Sequence, residues 1–215
     1  MFKTKKLKRH LEIGLLISLL IMTITWTYFI KIRHIKSYWI KIEPSKNITP
    51  KKITFYKQND PEWEKVKMWD TELSVGWYGC LLSVMATSLC DLGYKFTPKK
   101  LNDIFSSGDI YNDNGEIVWY KINTVIPEVD YKYKRIFGSS TIEKALEDNL
   151  LPMVKVKYRK KGVFHWVLVV WADRWDFIIV DPLAPNKNLI KLDEHWQVYA
   201  YRVLVNKKVE KLVQR

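Results

Sequence analysis

The sequence predicts an α+β fold: helices from the first half of a single domain packed on an antiparallel sheet from the second half, behind one N-terminal apolar helix. Three observations carry this. Residues 80–92 place apolar side chains at helical spacing, and the chain after Pro152 breaks into short alternating or apolar runs separated by turns. Helices first and strands afterwards, rather than alternation of the two, is the α+β pattern. Residues 13–30 carry no charge and are dominated by Leu, Ile, Met and aromatic side chains, so they stand apart from the rest.

That apolar segment is expected to be a transmembrane signal anchor. At about 1.5 Å per residue it spans about 27 Å, the lower edge of what a bilayer core requires. Trp26 and Tyr28 fall near its far end, where amphipathic rings favour the headgroup level. Residues 1–12 form a basic tail with Lys3, Lys5, Lys6, Lys8 and Arg9, which argues for a cytoplasmic N-terminus. A cleaved signal peptide would have a shorter apolar run and small residues at a cleavage site. Here Thr27, Tyr28, Phe29 and Ile30 lead straight into Lys31. The expected arrangement is therefore a single-pass membrane protein, with lipid contacts through 13–30 and the globular part extracytoplasmic. Residues 31–52, with Pro44 and Pro50, read as a juxtamembrane spacer, 53–206 as the folded domain and 207–215 as a second basic tail.

The net charge of +13 is not a nucleic-acid signature. Residues 1–52 hold 12 Lys and Arg against 2 acidic residues, and the remainder holds 24 against 21. The excess flanks the apolar segment, where anionic headgroups are the matching partner, and no nucleic-acid motif accompanies it. Two cysteines are too few for a disulfide scaffold. On one helix Cys80 and Cys90 would lie about 15 Å apart, beyond disulfide reach.

Within the domain each element has a local reason. The helix over 80–92 ends at Gly93, a residue suited to the left-handed stop conformation. Thr97-Pro98 caps a second helix through about Phe105. Asn114-Gly115 marks a turn; the acidic stretch Asp109–Glu116 lacks the ligand spacing of a calcium loop. Ser140 and Glu143 match a capping box opening a helix through about Leu150. Strands are expected at Met153–Tyr158, Val163–Trp171, Phe177–Val180 and Tyr199–Val205. The ten tryptophans are expected to fill the core and its rim.

Three residues then become candidates for chemistry. Cys80 follows Gly79 and opens the apolar helix, where unpaired N–H groups and the helix dipole favour a thiolate. A free cysteine is also a common small core residue, and Cys90 has only that reading. His165 sits inside an apolar strand, where a buried imidazole needs partners. Asp181 closes the next strand before Pro182, a place that turn aspartates often occupy. Adjacent antiparallel strands would let Asp181 hold one ring nitrogen of His165 while the other faces Cys80. The four histidines, His10, His34, His165 and His195, show no metal-ligand spacing, and the chemistry calls for no metal or other cofactor.

These residues stand in a recognisable order. Gln58-x-Asp60-Pro61-x-Trp63, Gly79-Cys80, Thr97-Pro98 with Leu101-Asn102, His165 in its strand, and Asp181-Pro182 together resemble the C-thirty-nine-like group of papain-fold peptidases. That group is similar to the proteases that remove double-glycine leaders from bacteriocins. The resemblance spans roughly 53–190 and implies a papain-like fold, a Cys80–His165–Asp181 triad, and a peptide or protein substrate. Leader peptidases carry an oxyanion-stabilising glutamine six residues before the cysteine; that position is Ser74 here, and Gln58 is the candidate amide instead. The expected activity is hydrolysis of a peptide or other amide bond. The alternative is a membrane-tethered module with a peptidase-like fold that binds a cell-wall or peptide ligand without turnover.

Overall fold

In the computed structural model the described residues are 13–28, 42–135, 137–160, 162–184, 189–195 and 197–208. The chain divides into two compact units, Met1–Ile40 and Lys41–Arg215. In the first, residues 13–28 form a helix, α1, whose apolar side chains are exposed. Among the described residues no helix is long and apolar enough to cross a membrane. Phe29 and Ile30, residues 1–12, residues 31–41 of the expected spacer, and residues 209–215 of the expected basic tail lie outside the described residues.

The second unit is built around one six-stranded antiparallel sheet. Its strands are β1 (Val129–Tyr133), β2 (Met153–Lys157), β3 (Phe164–Ala172), β4 (Phe177–Val180), β5 (Leu189–Lys191) and β6 (Val198–Asn206), in the order β1-β6-β2-β3-β4-β5. Four of these match the expected strands to within a residue at most ends. β1 and β5, the two edges, were not expected. Central β3 is apolar on both faces because both are covered. Leu168 and Val170 join the core that includes Leu82, Met85 and Leu89, whereas Val167 and Val169 pack with Ile142 and Leu146 on the other side.

The helices are α2 (Val75–Tyr78), α3 (Cys80–Asp91), α4 (Pro98–Ser107), α5 (Ile122–Val125) and α6 (Ser139–Glu147). Every residue of α3 from Leu82 to Leu89 is buried, which makes it the central helix, packed on β3, β6 and α4. It stops as expected: Gly93 has φ +95° and Tyr94 N donates to Leu89 O at 2.9 Å. α4 starts as expected, with Thr97 Oγ1 accepting from Lys100 N at 3.2 Å and Pro98 in the first turn. Asn102 of α4 is buried, donates to Lys67 O at 2.9 Å and accepts from Tyr111 Oη at 2.8 Å.

The opening of α6 differs from expectation. It begins at Ser139 after Gly138, and no side chain caps it. Glu143 is buried and instead accepts from the backbone N–H of Ser45 and from Ser45 Oγ at 2.9 Å. A buried carboxylate takes the donors that tertiary packing brings to it, and a distant backbone N–H displaced the local cap. This contact, with the Ile48↔Ala172 bridge and the Lys51–Asp91 ion pair at 2.6 Å, fastens the described end of the spacer to the domain.

Candidate active site

Gly79 and Cys80 sit where α2 turns into α3. A side chain at Gly79 would come within 2.5 Å of Val75 O, so only glycine lets the two helices meet this closely. Cys80 is thereby placed at the first position of α3, partly exposed and unpaired with any other cysteine. Cys90 lies at the far end of the same helix, also free. Its neighbour is Tyr56, whose hydroxyl is pushed up by burial and then by interaction with Cys90.

His165 is the second residue of β3 and pairs with Val156 of β2. It is buried, and its Nε2 lies 2.7 Å from Asp181 Oδ1. Asp181 follows β4 directly, brought there by the antiparallel register that sets Leu168 opposite Val180. The same Oδ1 accepts from Leu183 N at 2.8 Å. With Nε2 committed to Asp181, Nδ1 is the nitrogen left for the cysteine. Burial pulls the His165 imidazole down, but hydrogen bonds to Asp181 and Cys80, with their charges, overcome it and raise it to about 9. Burial pushes Asp181 up, yet the hydrogen bond to His165, the nearby His195 ring and the Leu183 N–H hold its carboxyl far below the usual range. The structure therefore brings Cys80, His165 and Asp181 into one interacting group.

Gln58 is buried and bridges the two halves of this group. Its Nε2 donates to Gly76 O at 2.9 Å, under α2, and its backbone N–H donates to Pro182 O at 2.9 Å. Its Oε1 is buried without a partner. The surrounding Gln-x-Asp-Pro-x-Trp segment explains how it is held. Asp60 Oδ1 accepts from Glu62 N at 3.0 Å, Asp60 O accepts from Glu64 N at 2.8 Å, and the buried Trp63 donates from Nε1 to Lys57 O at 2.7 Å. Ser74 precedes α2 without capping it.

An open cleft of about 700 Å³ adjoins these residues, lined by Asn59, Ser74, Gly76, Trp77 and Leu183 among others. Large apolar side chains are exposed in the residues that precede the two: Trp77 is 83% exposed and Tyr78 59% just before the cysteine, and Val163 68% and Phe164 49% just before the histidine. These are large apolar surfaces left open to a ligand.

Two residues near the site were missed in the sequence. Tyr158 stands edge-on to the His165 ring at 5.2 Å between centroids. His195, within the turn between β5 and β6, is fully buried with Nε2 3.4 Å from Asp181 Oδ2. Nothing in its spacing announced this. Among the described residues no group of three or more His, Cys, Asp or Glu is arranged to hold a metal, and His10 and His34 lie outside them.

No family model matches this chain, and no curated protein matches its sequence. Among solved structures it is similar to a protein from Bacillus anthracis provisionally described as a C39-like peptidase. The TM-score is 0.50 and the identity 11%, covering 75% of this chain and 98% of that one. At that identity the likeness speaks to the fold: an α+β, peptidase-like architecture.

Proposed function

We propose that this chain is a membrane-anchored cysteine peptidase in which Cys80, His165 and Asp181 act as a catalytic triad. The observation that carries the reading is the buried His165–Asp181 pair at 2.7 Å, with Cys80 the other group that raises the imidazole. The thiol gives its proton to His165 Nδ1, and Sγ attacks the carbonyl carbon of a peptide or other amide, forming a C–S bond. His165 returns that proton to the leaving amine as the C–N bond breaks. A water, deprotonated by His165, then cleaves the thioester, releases the carboxylic acid and restores the thiol. Asp181 keeps the ring in its working tautomer and stabilises the imidazolium. The backbone N–H of Cys80 and the second N–H of the Gln58 amide are the candidate oxyanion donors.

One observation favours the non-catalytic alternative: the Gln58 amide already donates to Gly76 O. Selective labelling separates the two. In the full-length protein at pH 6, limiting iodoacetamide should modify Cys80 well ahead of Cys90, and His165→Ala should erase that preference. Equal labelling of both thiols in the native protein would leave the binding module standing.

In this reading residues 13–30 anchor the chain, with the N-terminus in the cytoplasm and the catalytic domain outside. The uncharged stretch, its basic flanks and the exposed apolar surface of α1 support it. It requires the helix to continue through Phe29 and Ile30. Protease added to intact spheroplasts should digest the domain; protection until lysis would reverse the topology.

A further inference from the structure

We propose that His195 is a positioning residue for the same site, acting on the Asp181 oxygen that His165 does not use; the inference rests on the triad reading. His195 lies between the short turn Leu192–Glu194 and β6, thirty residues beyond His165 in sequence. Its side chain is fully buried, an expensive place for an imidazole unless both nitrogens are engaged. Nδ1 accepts the backbone N–H of Arg159 at 3.1 Å. That bond settles the tautomer: Nδ1 bears no proton, so Nε2 does. The Nε2–H group then lies 3.4 Å from Asp181 Oδ2, the oxygen that His165 does not use. The contact is long and imperfectly aligned, since Nε2 makes no full hydrogen bond in this state. Among the described residues no other acceptor engages this nitrogen, and catalytic hydrogen bonds commonly tighten when substrate arrives.

Both carboxylate oxygens thereby meet an imidazole. Oδ1 takes His165 Nε2 and Leu183 N, and Oδ2 faces His195. Once the Nε2–H contact to Oδ2 closes, rotation about the Cβ–Cγ bond no longer carries Oδ1 away from His165. Tyr158 completes a triangle with the two imidazoles, 5.2 Å from His165 and 5.6 Å from His195, whose own ring centroids are 6.0 Å apart. The charged or titratable groups facing the two rings are Asp181, Cys80, Tyr158 and Arg159, whose guanidinium lies over the Tyr158 ring at 5.3 Å. The two other aspartates of the β3–β4 turn are engaged elsewhere: Asp173 caps its own turn and Asp176 pairs with Lys191.

Two replacements separate the roles of the ring nitrogens. His195→Asn keeps an acceptor near Nδ1 for Arg159 but removes the donor to Asp181. His195→Gln can place an amide N–H near the position of Nε2. The asparagine variant should lower kcat about tenfold with KM nearly unchanged, and the glutamine variant should recover to within about threefold of wild type. The second readout is the titration midpoint of the His165 ring, followed by NMR in the full-length protein. Losing one donor leaves more of the carboxylate's charge for His165. The midpoint should therefore rise by about half a unit or more in His195→Asn and return in His195→Gln. A residue that only filled space would move neither midpoint, so a wild-type midpoint in His195→Asn, or the same shift in both variants, overturns the proposal. If wild-type protein neither hydrolyses amides nor labels preferentially at Cys80, the triad reading fails on its own, while the midpoints still decide what His195 does.

Discussion

The two ends of α3 carry the same side chain in opposite surroundings. Cys80 begins the helix, next to a buried imidazole that is itself held by a carboxylate 2.7 Å away. Cys90 lies near its end, against the Tyr56 hydroxyl, whose ring packs edge-on to Trp63. The first thiol meets the unpaired N–H groups of a helix start and an imidazole base; the second lies near the carbonyl end and meets a phenol. The lesson is that the helix supplies a gradient and the sheet supplies the base, and only one end of the helix has both.

The largest effect that would break this contrast comes from exchanging the thiols. Cys80→Ser should reduce amide hydrolysis about a thousandfold or more, whereas Cys90→Ser should leave it within about threefold. Steady-state hydrolysis by the full-length variants tests it; appreciable turnover in Cys80→Ser removes the thiol from the chemistry.

The next effect sharpens which carboxylate serves the base. Asp181→Asn should cost about 10²–10⁴-fold in kcat, because an amide can present a donor where His165 Nε2 needs an acceptor. Asp176→Asn should have little effect, since Asp176 sits at the turn end of the β3–β4 hairpin and pairs with Lys191 at 3.2 Å. If the two variants behaved alike, the assignment of Asp181 would fall.

The smallest effect is on stability. His165 is raised to about 9 in the folded protein, so its contribution is complete below its ordinary value of 6.5 and is lost as pH climbs through 9. Asp181 is lowered, so its contribution is present above 3.8 and disappears as pH falls toward its folded value. Melting temperatures should therefore be highest between these limits and fall on the alkaline side from about pH 6.5 to 9. His165→Gln should flatten the alkaline slope. A slope unchanged in that variant would mean that another group titrates there.

Much of this site was legible because its parts lie at the ends of strongly patterned elements. The apolar period through Leu82, Met85 and Leu89 located α3 and hence Cys80 at its start. The dense runs of β3 and β4 located His165 and Asp181, and a short hairpin leaves little freedom in how two such strands pair. β1 and β5 were harder. Each is an edge strand, with a half-exposed burial pattern, and β5 has three residues. Edge strands are short and only partly apolar, so they lack the signal that identifies a central one. The helix α6 was found, but its supposed capping carboxylate, Glu143, serves Ser45 instead.

By itself the sequence determined the α+β order, the central helix with a cysteine at its head, and the histidine and aspartate strands. Those follow from local periodicity, because an apolar stripe must be buried whatever lies around it. The tertiary structure alone decided which polar groups meet. It put Gln58 under Gly76, Ser45 on Glu143 and His195 against Asp181, and it added the two edge strands β1 and β5. A buried polar atom must find a partner, but these partners come from segments 14 to 98 residues apart, from His195 with Asp181 to Ser45 with Glu143. No local pattern encodes that separation; packing of the sheet and helices does.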